Sequence, residues 1–166
     1  MTDLKTLYED DTVAWAENQA TALRAAAHGG SNQELDWQNL AEEIEDLSKS
    51  IKRGVHSQVR KVIEHLIKLE YSPAQRPRNS WLESIAYARV EIDAALEESP
   101  SLKPQLEQII REEIPRAARP AISRLERRGE VPDRLGTTLK TKSYLDLFSY
   151  TPEQILGDWF PPEPKG

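Results

Sequence analysis

Arg60 and His65, with four residues between them, have the side chains needed for acid–base chemistry on a phosphodiester. An imidazole titrates near neutrality, so His65 can act as a general acid or base. A guanidinium such as that of Arg60 can stabilise negative charge on a phosphate with no metal required. Arg53, Arg76 and Arg78 are available to track a nucleic-acid backbone. Against this, five residues of helix turn the two side chains about 140° apart, which works against their convergence. A histidine at the edge of an apolar stripe is also read as a boundary residue of the core with one satisfied nitrogen.

Arg89 is the second residue with chemistry to place. It falls in phase with Trp81, Ile85, Ile92 and Leu96, so an always-charged guanidinium lies on an apolar stripe and must find partners. Glu43 and Glu45 flank the stripe of the preceding helical segment and are the expected partners, in an ion pair that fixes helix register or, in a functional reading, a clamp for a carboxylate or phosphate. Trp81 forms one apolar wall in either case. Metal chemistry has little to work with. There are no cysteines and three histidines, His56 lies about 180° from His65 on a helix, and no histidine pair has ligand spacing. Glu42 and Asp46, one turn apart, are a weak carboxylate-only pair for a hard cation. No cofactor and no metal site are expected.

The elements that position these residues are helices. Apolar residues recur at Trp37, Leu40, Ile44, Leu47, Ile51, Val55, Val59, Val62, Leu66 and Leu69 in steps of three and four, which is one long amphipathic helix over 37–70. Asp36 is placed to cap it, acids follow near the positive end of its dipole, and Ser72-Pro73 ends it. Gly54 keeps the phase and predicts a bend or a close approach of another backbone. Asp11 caps a helix over 12–27 that Gly29-Gly30 stops. Asn79 or Ser80 caps a third over 81–98, and a fourth over 102–128 holds Pro115 and Pro120, predicting a kink or break near Glu113 to Pro115. Periodicity fails over 129–150, which reads as a loop or wrapping arm. Thr151-Pro152-Glu153-Gln154 is a capping-box helix start, and Trp159-Phe160 predicts that the C-terminal segment docks back on the bundle. The fold expected is an all-α helical bundle of four main helices, one long and one proline-kinked, with a C-terminal arm and short helix, in a single domain over 1–166.

Length and composition bound the rest. The chain has 166 residues, 38% hydrophobic and 30% charged, with a formal net charge of −6. No run approaches the ~18 apolar residues of a membrane span, and the N-terminus has neither the basic nor the apolar region of a secretory signal, so no membrane association and a cytoplasmic location are expected. The negative net charge argues against a dedicated duplex-DNA binder, but its distribution is uneven. Residues 1–48 hold eleven acids against Lys5 and Arg24, while 49–78 hold eight bases against Glu64 and Glu70.

The succession Trp15-x-x-x-Gln19, Leu35-Asp36-x-x-Asn39-Leu40-x-Glu42-Glu43-Ile44-Glu45, His65-Leu66-x-Lys68, Ser80-Trp81, Ser99-Pro100-Ser101-Leu102 and Tyr150-Thr151-Pro152-Glu153-Gln154-Ile155-Leu156 resembles the uncharacterised bacterial family catalogued as domain of unknown function twenty-nine. The likeness covers roughly Tyr8 to Glu163 and implies an almost wholly helical small bacterial protein, with no activity, cofactor or catalytic residue attached; Gly129 to Ser143 departs from the pattern. Separately, Arg60-x-x-x-x-His65 is similar to the arginine–histidine signature of helical-bundle ribonucleases of prokaryotic toxin and defence systems. Two functions follow as expectations. The first is a protein-interaction or structural module whose long helix, acidic early and basic late, pairs with a partner or antiparallel with its own copy. The alternative is a metal-independent ribonuclease or phosphate-compound-binding enzyme using Arg60 and His65, with RNA as partner.

Overall fold

Asp11 shows how short polar signals set the helix boundaries. In the computed structural model of the chain, which describes residues 4–30, 35–131, 133–139 and 141–164, its carboxylate accepts from the Ala14 amide at 2.8 Å and starts α2 at Thr12–His28. A seven-residue helix, α1 (Leu4–Asp10), precedes it. Asp36 accepts from the Asn39 amide at 3.2 Å and starts α3, Trp37–Tyr71. α4 follows at Arg78–Glu98, then a 3-10 turn at Pro100–Gln105 and α5 at Leu106–Arg127. α6 (Asp133–Leu139), α7 (Tyr144–Leu147) and α8 (Pro152–Leu156) complete the order, and there is no strand among the described residues.

The chain divides into two units, Met1–Val55 with Ala94–Pro104, and His56–Asp93 with Gln105–Gly166. In the first unit the core combines Val13, Ala16, Ala20, Ala41 and Val55 with the larger Leu96 and Leu102. The Ser99-Pro100-Ser101 segment closes the start of α2: Ser99 Oγ accepts from the Val13 amide at 3.3 Å, and the Ser101 amide donates to Asp11 at 2.6 Å. The second unit has the larger core, with Val62, Ile63, Leu66 and Ile67 of α3, Ile85 and Ile92 of α4, Ile110 of α5 and Ile155 of α8 all but inaccessible. Trp81, expected as an apolar wall, is buried there.

Three expectations are narrowed or corrected by the fold. Of the kink or break expected near Glu113 to Pro115, the break is absent: α5 runs as one helix through both prolines. Pro115 and Pro120 are not among its buried residues, and Arg111 and Arg116, whose carbonyls lose their ladder donors, are exposed, so water can satisfy them. Residues 129–150 are not wholly irregular: α6 and α7 lie within them, although positions 132 and 140 fall outside the described residues. Gly129, at φ 68°, ends α5, its left-handed conformation letting the Glu130 amide return to the Leu125 carbonyl at 2.9 Å.

The third correction concerns α3. Leu40 was expected in the core but is 41% exposed, and Leu47 is 42% exposed. Burial in this half of the helix follows the adjacent line, Ala41, Ser48 and Val55. One residue back round the helix, the line Leu40, Leu47 and Gly54 faces solvent, with Ile44 and Ile51 half-buried between the two. No backbone approaches Gly54: a Cβ built there meets nothing within 4 Å.

Candidate functional site

The arginine–histidine pair does not form one site. The Arg60 Nε–H donates to the Glu113 carboxylate at 2.6 Å, the His56 Nδ1–H donates to its other oxygen at 2.9 Å, and Arg116 reaches that same oxygen at 2.6 Å. Glu113 is 0% exposed. Burial pushes its pKa up, but the hydrogen bonds from Arg60, His56 and Arg116 outweigh that and hold it below the usual carboxylate value. Arg60 thus neutralises a buried acid. Glu113, His56 and Arg116 were not singled out in the sequence, though a signal was present. Glu113 lies in phase with Ile109 and Ile110 of α5, the same anomaly of a charge on an apolar stripe that marks Arg89.

His65 sits in other surroundings, in an open cleft shared with Lys61, Ser80, Glu83, Ser84 and Tyr87. Its Nδ1 is 2.8 Å from the Lys61 carbonyl, so that nitrogen carries the proton and Nε2 is the acceptor of the neutral ring. Burial lowers the pKa of the imidazole, with the Lys68 charge adding to the shift and the Lys61 carbonyl opposing it. The geometry supplies a neutral base without the positioned guanidinium that the ribonuclease chemistry requires. Arg76 is exposed, on the turn between α3 and α4. Among the described residues, no group of three or more His, Asp or Glu side chains is placed to hold a metal ion.

Arg89 is buried as its stripe position predicts, but its partners are not Glu43 or Glu45. Its Nε–H donates to the Ile155 carbonyl at 2.9 Å, and Nη2 donates to those of Gln154 at 2.9 Å and Trp159 at 2.7 Å. The Phe160 ring lies 4.7 Å from the guanidinium carbon. The C-terminal segment therefore docks through its backbone, with Arg89 capping the carbonyl end of α8, whose start is set by the Thr151–Gln154 capping box. Glu45 is instead taken by Arg24 at 2.6 Å within the first unit.

Among the exposed large apolar residues described, Leu40 and Leu47 share one outward line of α3. Leu40 and Leu47 stand seven residues apart, Gly54 continues the line, and Glu43 and Arg53 border it on one side. Both charges are exposed, and neither makes an ion pair among the described residues. This ridge lies wholly in the first unit. Among the described residues no helix is long and apolar enough to cross a membrane.

No curated protein matches the chain. Among solved structures, the crystal structure of an alpha-helical protein of unknown function from Rhodospirillum rubrum is similar, with 23% sequence identity and a TM-score of 0.71 over 91% of this chain and 89% of that one. The likeness is one of fold, an all-α arrangement in both. A family model described as domain of unknown function DUF29 matches residues 7–160, nearly the whole of the sequence, and the chain belongs to that family.

Proposed function

We propose that this chain is a protein-interaction module whose binding surface is the outward ridge of α3. The observation that carries the reading is the exposure of Leu40 and Leu47 on one line of a helix whose adjacent line, Ala41, Ser48 and Val55, is buried. Covering the two-fifths of each leucine that is still exposed contributes roughly 1 kcal/mol apiece, a modest apolar anchor to which the bordering charges give orientation. The alternative, a metal-independent ribonuclease or phosphate-compound-binding enzyme using Arg60 and His65, has less support because Glu113 occupies the Arg60 guanidinium. It predicts RNA cleavage in the presence of a chelator that His65→Ala abolishes.

The interaction reading is tested by placing a photo-crosslinking side chain at Ser50, beside the ridge, in cells. Covalent adducts to protein are expected, and they are lost when Leu40 and Leu47 are both replaced by Glu. Absence of any protein adduct, or adducts indifferent to the two leucines, contradicts the reading.

A further inference from the structure

Resting on that reading, we infer that the partner seated on the α3 ridge is a second copy of this chain, packed antiparallel with Leu47 near the two-fold axis. Three features of the ridge point to this occupant. The first is charge. Glu43 lies on the N-terminal side of Leu47 and Arg53 on the C-terminal side, on the same flank, exposed and without ion pairs among the described residues. Antiparallel packing about Leu47 brings Glu43 of each copy within one turn of Arg53 of the other, twice by symmetry. Parallel packing in register puts this flank of one copy and the same flank of the other on opposite sides of the seam, so Glu43 and Arg53 do not meet.

The second feature is shape. Leu40 and Gly54 stand at equal sequence distance on either side of Leu47, so the same packing lays the Leu40 side chain of one copy over Gly54 of the other. A glycine inside a long helix is unfavourable on its own, and the smallness of Gly54 is unused by its own chain, because nothing lies within 4 Å of a Cβ built there. Close approach of a second helix gives that smallness a use. The third feature is self-complementarity. A two-fold interface joins a patch to itself, and a line of large, large and absent side chains centred on the middle one meets its own reverse without a clash.

The chain contains no cysteine, so single cysteines report the register directly. Mild oxidation of Leu47→Cys should give a disulfide-linked dimer. Leu40→Cys alone should not, but an equimolar mixture of Leu40→Cys and Gly54→Cys should. Because a cysteine on the ridge can itself weaken packing, association is also measured without one: Glu43→Arg should weaken dimerisation roughly tenfold, and the reciprocal swap Glu43→Arg with Arg53→Glu should restore it. Self-crosslinking of Leu40→Cys would replace the antiparallel arrangement by a parallel one and overturn the proposal. So would a chain that stays monomeric at about 100 μM in low salt. If the chain is monomeric while the Ser50 photo-adducts to a different protein persist, the second copy is wrong and the interaction reading stands. Loss of both removes both.

Discussion

Arg89 and Glu113 are two buried charges that the fold satisfies in different ways. Arg89 spends its donors on three main-chain carbonyls of the C-terminal segment. Arg89→Ala leaves those acceptors unpaired and uncaps α8, and should destabilise the protein by roughly 3–5 kcal/mol in urea unfolding. Arg89→Lys should recover only part of the loss, because one ammonium cannot reproduce the guanidinium fork. A loss below about 0.5 kcal/mol would show that the latch contributes nothing. Glu113, with its folded pKa held below the usual 4.5, contributes stability that is full above its unfolded pKa and disappears as pH falls through the folded one. His65 acts in the same direction at higher pH. Its folded pKa lies below the usual 6.5, so the unfolded chain takes up a proton first and stability begins to fall as pH drops past that value. The urea midpoint should therefore decline in two stages on acidification, and Glu113→Gln should be less stable at neutral pH but flat through the lower stage. A midpoint independent of pH between 7 and 4 would contradict both assignments. The burial of Arg89 was legible in its phase on an apolar stripe. Its partners were not, because main-chain carbonyls leave no mark in a sequence, whereas Glu43 and Glu45 do.

At the scale of elements, α2 and α3 are readable because two independent signals agree on each, apolar phase and a cap, Asp11 and Asp36; α5 has phase without a side-chain cap, and α8 is marked by its Thr151–Gln154 box alone. α1, α6 and α7 are seven, seven and four residues long, too short for periodicity to register. The apolar stripe of α3 shows that the helix is amphipathic, but not which of two adjacent lines its neighbours cover. α2 meets α3 through Arg24 with Glu45 and Glu17 with Ser48 and Lys52, and Ala41 and Ser48 are covered while Leu40 and Leu47, a step round the helix, are left outside. Gly54 is the weak point of the element. Since its space is open, Gly54→Ala should stabilise the isolated chain by about 1 kcal/mol, measured by thermal unfolding in dilute, high-salt solution where association is suppressed. Destabilisation there would mean that the backbone at Gly54 needs a conformation alanine resists.

At the scale of the whole molecule, charge is unevenly placed along the sequence, with acids dominating residues 1–48 and bases dominating 49–78. Part of that sorting is consumed inside the units. Glu17 binds Lys52 and Glu64 binds both Lys68 and Arg124. The part left over at Glu43 and Arg53 borders the one exposed leucine ridge of α3, where a charge of each sign can orient an incoming helix. The catalytic alternative was legible as a spacing, Arg60 to His65, but spacing along one helix does not report which buried acid will claim the guanidinium, and Glu113 does so here. The direct measurement is sedimentation velocity of the wild-type chain and of the Leu40→Glu/Leu47→Glu variant at about 100 μM, in low and high salt. The account predicts a wild-type dimer that loosens as salt rises and a variant that is monomeric with unchanged helical circular dichroism. A wild-type chain that is monomeric throughout, or a variant that still dimerises, would contradict it.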